Sequence, residues 1–227
     1  MKKLLCSFAV VLFVSSCVIP ASAQKMMVGG RFGIDMGSVS VDPAPTGVTL
    51  SSHTGIAIGA QLDNWFNDMW ALSVGLQYDQ KGTHEDATFN VGGFSVSASG
   101  DLTMNYLEIP ILAKVALGTG DIQPFLFAGP SVGILLSATS TSGSNSQSVD
   151  SQLNTVNLSL LLGAGVSYKW MSNISLFLDA GYELGLINIQ KNTSVNTFDA
   201  QGNVSSSTQT AKTNDIRVAI GAMFALP

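Results

Sequence analysis

Seven segments of the chain alternate between apolar residues and small, polar or charged ones. In the segment 174–186, apolar residues fill the even positions, whereas Ser175, Asp179 and Glu183 stand at odd positions. A two-residue period places successive side chains on opposite sides of a β-strand. The other six segments are about 28–37, 56–63, 70–79, 106–117, 156–170 and 215–224. None of the seven apolar faces carries a charge, so each segment predicts a strand with one fully apolar side.

An eighth strand is predicted at about 122–137, although the sequence does not distinguish its two sides. Pro124, Gly129 and Pro130 interrupt the pattern, and both faces are apolar. Because proline lacks the N–H group that a β-ladder uses, we predict a β-bulge near Pro130.

The composition points to a membrane protein that crosses the bilayer with strands. Hydrophobic residues make up 46% of the chain and charged residues 11%, against about 25% charged residues in an ordinary soluble domain. A membrane-spanning helix needs about 20 consecutive apolar residues, and after residue 24 the sequence has no such run. A formal net charge of −5 argues against a nucleic-acid partner.

Connections between the segments alternate between short and long. Short ones lie at 67–68, 118–121 and 171–173, and long ones at about 42–52, 83–101, 139–152 and 191–208. Outer-membrane barrels combine tight periplasmic turns with longer extracellular loops. We therefore predict an all-β protein, an eight-stranded antiparallel up-and-down transmembrane β-barrel with both termini in the periplasm. The sequence leaves open whether 83–101 extends its hairpin beyond the membrane.

Three tryptophans stand beside the predicted short turns: Trp65, Trp70 and Trp170. Aromatic residues form girdles where a barrel meets the membrane interface. We predict that all three are membrane-interface residues.

The first 23 residues have the pattern of a secretory signal peptide. Lys2 and Lys3 precede an apolar stretch, and Ala21-Ser22-Ala23 is a small-residue cleavage site. Cleavage after Ala23 leaves a barrel domain of residues 24–227 without cysteine, which excludes thiol chemistry. Lipoprotein processing at Cys17 is the alternative.

The apolar faces are predicted to point outward to lipid. A soluble barrel of the lipocalin type, with the apolar faces inside, is the alternative. An eight-stranded barrel has room inside only for its own side chains, and the faces opposite the apolar ones are mainly small residues with a few charges. Such faces suit a narrow polar lumen.

Seven of the charges on these inner faces form the predicted site. They are Arg31, Asp35, Glu108, Lys114, Asp179, Glu183 and Arg217. Because a buried charge needs a partner, we predict an ion-pair network centred on Arg217 and Glu183, with Asp35 and Glu108 at similar height. Arg31, Lys114 and Asp179 are expected nearer the periplasmic end. The network is predicted to plug the lumen; an ion-selective path is the alternative.

Signals for other chemistry are weak. His53 and His84 lie in or beside different long loops, where a zinc pair is possible but solvated side chains are the expectation. Glu85, Asp86 and Asp101 lack the ligand spacing of a calcium loop. Neither histidine lies on a predicted strand, where a catalytic Ser/His/Asp set on a barrel would need it. We predict no metal, no cofactor and no enzymatic activity.

Three motifs resemble the PorT-type outer-membrane β-barrel family. They are Tyr78–Gly82 (YDQKG), Tyr106–Lys114 (YLEIPILAK) and Pro124–Pro130 (PFLFAGP). The resemblance implies an eight-stranded barrel that the barrel assembly machinery inserts, and it implies that Glu108 and Lys114 face the lumen. The namesake of the family is linked to protein secretion. One departure is that Phe224 is followed by Ala225-Leu226-Pro227, whereas barrel proteins often end in an aromatic residue.

These observations predict a non-enzymatic protein of the bacterial outer membrane. Its lumen is plugged, and its long loops form an interaction surface for an extracellular or envelope protein that the sequence does not identify. A small-solute channel and an accessory factor in secretion are the alternatives. Outer-membrane lipid and, during insertion, the barrel assembly machinery are the expected partners.

Overall fold

The computed structural model describes residues 25–44, 47–91, 94–191, 194–198 and 204–227. The predicted signal peptide, residues 1–23, lies outside the described residues, as does the alternative lipidation site at Cys17. Within the described part of the chain, no helix has the length and apolar character needed to cross a membrane.

Eleven strands and one short 3₁₀ helix, Asp150–Gln152, make up the regular structure of the described residues. The strands are β1 Lys25–Asp42, β2 Val48–Trp65, β3 Trp70–Val91, β4 Phe94–Ala116, β5 Ile122–Ser142, β6 Asn145–Ser148, β7 Val156–Met171, β8 Ile174–Gly185, β9 Ser194–Phe198, β10 Val204–Thr208 and β11 Thr210–Ala225.

Eight of the strands close into a ring. Neighbours pair in the order β1-β2-β3-β4-β5-β7-β8-β11, and β11 pairs with β1 from Met27↔Ala225 to Asp42↔Thr210. All these pairings are antiparallel, so the predicted eight-stranded up-and-down barrel is confirmed. β6 pairs antiparallel with the last residues of β5, from Thr139↔Ser148 to Ser142↔Asn145, and β9 and β10 form a separate two-stranded sheet.

The two faces of the ring are reversed relative to a soluble protein. Ile58 and Ile220 on the outer face are 53% and 58% exposed, whereas Asp35, Glu183 and Arg217 on the inner face are buried. Exposed apolar side chains are unfavourable in water and favourable in a bilayer. The soluble-barrel alternative is therefore wrong.

The short connections between strands lie at one end of the ring. The turn after β2 is fixed locally by Asn67, whose Oδ1 accepts hydrogen bonds from the N–H groups of Met69 (2.9 Å) and Trp70 (2.8 Å). This end also holds Lys25 and Ala225 and is called the turn end below. The opposite end, with the longer connections, is called the loop end.

The predicted bulge near Pro130 is wrong. β5 and β7 pair without a shift from Ile122↔Tyr168 to Ile134↔Val156, and β4 and β5 keep one register on both sides of Pro130. The ladder to β4 is only interrupted there, because a missing N–H group removes a hydrogen bond without adding a residue. The shift between β4 and β5 lies instead at Asn105 and Tyr106.

The segment 83–101 forms strands over most of its length. β3 and β4 stay in register from Gln77↔Glu108 to Val91↔Phe94. β2 accompanies β3 only as far as Ala87, and β5 accompanies β4 only as far as Asp101. The outer part of this hairpin, residues 88–91 and 94–97, therefore continues beyond both flanking strands of the ring.

Candidate functional site

Arg217 on β11 lies at the centre of the lumen and is fully buried. Its Nη2 donates hydrogen bonds to Glu183 Oε2 at 2.9 Å, to Glu108 Oε2 at 3.3 Å and to Asp79 Oδ2. Its Nε donates to Asp35 Oδ2 at 3.2 Å. One guanidinium therefore connects β11 with the inner faces of β1, β3, β4 and β8.

Lys81 on β3 is the second cation of this group, and sequence reasoning missed it. Its Nζ lies 2.6 Å from Glu183 Oε1, 2.7 Å from Glu108 Oε1 and 2.9 Å from Asp215 Oδ2. The signal was its odd position, which Lys81 shares with Gln77 and Asp79. The predicted third strand ended at Asp79, whereas β3 continues to Val91.

We call these seven residues the central cluster: Asp35, Asp79, Lys81, Glu108, Glu183, Asp215 and Arg217. Five carboxyl groups face two cationic side chains, all of them buried. Neutral side chains add hydrogen bonds: Ser159 Oγ donates to Glu183 Oε1 at 2.5 Å, and Gln77 Nε2 donates to Glu108 Oε2 at 3.2 Å. The seven residues come from the inner faces of five strands, β1, β3, β4, β8 and β11.

Three carboxylates of the central cluster are spaced like metal ligands. Oxygen atoms of Asp79, Glu108 and Glu183 lie within 4.8 Å of one another. Arg217 Nη2, however, contacts all three. The guanidinium thus stands where a metal ion would bind, and the chain supplies its own cation.

The remaining predicted lumen charges form two separate pairs nearer the turn end. Arg31 Nη2 donates to Asp179 Oδ1 at 2.9 Å. Lys114 Nζ donates to Asp63 Oδ2 at 2.7 Å and lies 5.1 Å from the ring centre of Phe125. Arg31, Lys114 and Asp179 therefore form their ion pairs outside the central cluster, and Asp63 is a partner that the sequence analysis did not single out.

Apolar layers close the lumen on both sides of the central cluster. The turn-side layer consists of Met27, Leu112, Phe125, Phe127, Leu161, Phe177 and Met223. The loop-side layer consists of Val39, Met104, Tyr106, Ala138, Leu153, Ile189 and Ala211. Both sets are buried, so side chains fill the lumen above and below the charges.

Two loop segments complete the loop-side layer. Leu153 follows the 3₁₀ helix and Ile189 follows β8, and a β-bridge joins Leu153 to Gln190. Asn154 Nδ2 donates to the carbonyls of Asn188 (2.9 Å) and Gln190 (3.1 Å). These bonds hold the two segments together across the mouth of the barrel.

A cavity of about 570 Å³ opens at the turn end of the barrel. Its walls carry charged residues, among them Lys25, Asp63 and Lys169, and it reaches Phe125 and Phe177 of the turn-side layer. The cavity is therefore a vestibule that meets the apolar layer before it meets the central cluster.

Trp65 corrects the predicted aromatic girdle. It is partly buried, packs against the turn-side layer and lines the vestibule. The reason is that β2 continues through Trp65, which keeps the inward direction of Gln61 and Asp63. Trp70 and Trp170 lie on the outer face of the ring, 48% and 55% exposed.

Both histidines lie outside the lumen at the loop end. His84 Nδ1 is 2.8 Å from Asp101 Oδ1, and His53 Nδ1 is 3.6 Å from the same oxygen. His84 Nε2 is 3.5 Å from Asp86 Oδ1. The hydrogen bond to Asp101 raises the pKa of His84, and it holds the pKa of Asp101 below its usual range. The sequence analysis considered Glu85, Asp86 and Asp101 as calcium ligands. Of these three, Asp86 and Asp101 contact His84.

Comparisons with known proteins agree with this architecture. A profile of the family described as "Outer membrane protein beta-barrel domain" matches residues 22–191. OprG, an outer membrane protein of Pseudomonas aeruginosa, is 13% identical with a TM-score of 0.51, over 90% of this chain and 96% of OprG. Neisserial surface protein A is 14% identical with a TM-score of 0.49, over 90% of this chain and all of that protein. A search of curated protein sequences gives no significant match.

Proposed function

The chain belongs to the family of outer membrane protein beta-barrel domains, and from this premise we propose that it is a closed, non-enzymatic barrel that acts through its loop end. It is located in the bacterial outer membrane. Its lumen does not conduct, and the loop end is the surface that contacts an extracellular or envelope protein. Lipid surrounds the apolar outer face, and the barrel assembly machinery inserts the chain.

The observation that carries this proposal is the filling of the lumen. A solute that enters the vestibule meets the turn-side layer, then the central cluster and then the loop-side layer. An eight-stranded barrel encloses little more than its own side chains. Moving the ion-paired residues aside would also leave buried charges unpaired, at a cost of several kcal/mol for each charge.

Conductance of the mature chain, refolded and inserted in planar lipid bilayers, tests the closed barrel. We expect no steady single-channel current from the wild type, whereas a channel of the same size with a hydrated lumen would conduct. Steady wild-type current that changes in Glu183→Ala or Arg217→Ala would overturn the proposal and place a conducting path at the central cluster. Lys212→Ala is the matched control, because Lys212 is an exposed cation on the same strand as Arg217.

The small-solute channel is the second candidate, and the vestibule favours it. A cavity of about 570 Å³ with charged walls could admit a small polar solute from the turn end. This function requires the turn-side layer to open. The conductance measurement separates the two proposals, because only the channel predicts a current.

An accessory role in protein secretion follows only from the resemblance of the YDQKG and YLEIPILAK motifs to PorT-type proteins. Co-purification from a native membrane tests it: a secretion complex retained with the wild type would support the role. A preparation that contains the barrel without such a complex would contradict it.

A further inference from the structure

The turn-side layer forms the inner wall of the vestibule. Phe125 and Phe177 line the cavity and belong to that layer, as do Met27 and Met223. These four side chains come from four different strands, β5, β8, β1 and β11. Aromatic rings and methionine sulfurs both make favourable contacts with a further aromatic ring. The inner wall therefore suits the flat ring of a small molecule.

Two polar groups on β2 lie near this wall without a hydrogen-bond partner. Asp63 and Trp65 both line the vestibule. Among the described residues, neither Asp63 Oδ1 nor Trp65 Nε1 has a partner, although both atoms are buried. A buried polar atom without a partner raises the free energy of the protein, and a ligand that supplies the partner removes that cost. The vestibule therefore offers a ligand one acceptor, Oδ1, and one donor, Nε1.

The spacing of these two groups selects an amide as their common partner. Residues two apart on one strand point to the same face and lie about 7 Å apart along it. An amide carries an N–H donor and a C=O acceptor side by side. Two hydrogen bonds of about 2.9 Å, one at each end, let it bridge Asp63 and Trp65.

The formal charges around the vestibule cancel. Lys114 is compensated at close range, because its Nζ lies 2.7 Å from Asp63 Oδ2 and 5.1 Å from the ring centre of Phe125. An ionic ligand would lose its hydration in the cavity without a net charge to attract it, which is costly. The charge balance therefore favours a neutral ligand. Three lysines are matched by three aspartates: Lys25, Lys114, Lys169, Asp63, Asp68 and Asp121.

We propose that the vestibule is a binding site for a small neutral molecule that carries an aromatic ring and an amide group. The ring packs on the turn-side layer, the amide N–H donates to Asp63 Oδ1, and the amide C=O accepts from Trp65 Nε1. The cavity of about 570 Å³ has the size and the mixture of aromatic walls and few polar groups that are typical of small-molecule sites. The ligand enters at the turn end and stops at the turn-side layer, so the site does not depend on the loop-end function proposed above.

NMR spectroscopy of the tryptophan side chains tests the site, with benzamide as the probe. The sequence has three tryptophans, and their indole Nε1–H signals are assigned with single tryptophan-to-phenylalanine variants. We expect the Trp65 signal to shift and to saturate with a Kd of about 1 mM, because so small a ligand gains little binding free energy. Trp70 and Trp170 lie on the outer face, so their signals should stay in place and control for benzamide dissolved in the detergent.

Two related compounds separate the contributions of the ring and the amide. N,N-dimethylbenzamide lacks the N–H group that donates to Asp63, and acetamide lacks the ring. We expect each to bind about tenfold more weakly than benzamide, because one loses a hydrogen bond to a carboxylate and the other loses the burial of a ring. If N,N-dimethylbenzamide binds as tightly as benzamide, the amide does not bond to Asp63 and the assignment of the ligand class is wrong.

A variant that fills the cavity gives the matched structural test. Ser175 on β8 lines the vestibule, so Ser175→Phe should weaken benzamide binding about tenfold by occupying the space of the ligand. Ser144→Phe adds the same ring in an exposed turn at the loop end and should change the affinity by less than about twofold. Circular dichroism checks that both variants are folded.

Three results would overturn the site. The first is a Trp65 signal that stays fixed up to about 10 mM benzamide, tenfold above the expected Kd. The second is a shift of all three indole signals without saturation, because benzamide would then only dissolve in the detergent. The third is saturable binding that is unchanged in a folded Ser175→Phe variant, because the ligand would then bind elsewhere.

Discussion

Two cationic side chains hold five carboxyl groups together in the central cluster, and each cation has several partners. Lys81 Nζ lies within 3 Å of Glu108, Glu183 and Asp215, and Arg217 shares two of those three partners through its own contacts to Glu108 and Glu183. Removing one cation therefore leaves several buried carboxylates with reduced compensation. The cost of such a loss is larger than that of a single surface ion pair.

We predict that Lys81→Met destabilises the barrel by about 3–5 kcal/mol, the range for removing one partner of a buried ion pair. The methionine has a similar shape, so loss of charge dominates over loss of packing. Unfolding by urea in detergent micelles or lipid vesicles measures the change. Lys212→Met, which removes an exposed cation from β11, should stay within about 0.5 kcal/mol of the wild type.

A double-mutant cycle separates the charge effect from a general folding defect. Asp215→Asn in the Lys81→Met background removes one carboxylate that has lost its partner, 2.9 Å away in the wild type. Part of the lost stability should return, giving a coupling free energy of about 1–3 kcal/mol. Strictly additive losses would mean that the two side chains do not act as a pair.

At the scale of residues, the sequence predicted which charged side chains point into the lumen, but it did not predict which residues they pair with. Parity along each strand identified Arg217, Glu183, Glu108 and Asp35 as inward-facing. Parity did not reveal how far a strand continues, so Lys81 was missed and Trp65 was predicted to lie at the membrane interface. Partner choice across the lumen depends on barrel shear and tilt, which alternation within one strand does not record.

At the scale of elements, the β3–β4 hairpin differs from the other strand pairs. Its inner part belongs to the ring, whereas residues 94–97 of β4 pair with residues 88–91 of β3 beyond the last pairs with β2 and β5. Phe94 is 78% exposed. A two-stranded hairpin is only marginally stable by itself in water. This outer part is the element on which the proposed contact surface depends.

Amide hydrogen exchange should separate the two parts of β4. We expect the amides of 94–100 to exchange at least a hundredfold faster than those of 107–115, because the inner amides lie in the ring and exchange only through larger openings. Mass spectrometry of peptides from vesicle-embedded protein measures both segments of one strand, so the inner segment is an internal control. Equal protection would indicate that a partner, such as a second copy of the chain, covers the hairpin.

The sequence predicted which ring strands exist and in what order they follow one another, but it did not predict where each strand ends. Seven strands showed the two-residue period because one face meets lipid and the other meets a polar lumen. β5 lacked that contrast: its inner face carries Phe125 and Phe127, which form part of the turn-side layer. The bulges at Ser52–Ala57 and Asn105–Tyr106 lie where pairing, rather than hydrophobicity, sets the register.

At the scale of the whole molecule, two apolar layers separate the central cluster from water at either end. Surface ion pairs weaken as salt concentration rises, whereas buried pairs are screened much less. We therefore predict that the melting temperature of the barrel in a non-ionic detergent changes by less than about 3 °C between 50 mM and 1 M NaCl. A hydrated lumen predicts the opposite, since ions would enter and screen the contacts of Arg217 and Lys81.

Lys81→Met is the control that assigns any salt effect to the lumen. If a drop in melting temperature with salt is present in the wild type and absent from Lys81→Met, water and ions reach the central cluster, and the closed barrel is wrong. In the other outcome, neither the wild type nor Lys81→Met responds to salt, and Lys81→Met melts well below the wild type. The central cluster then stabilises the fold and is inaccessible to ions. The two apolar layers and the central cluster then act together, because the layers exclude the ions that would weaken the ion pairs between them.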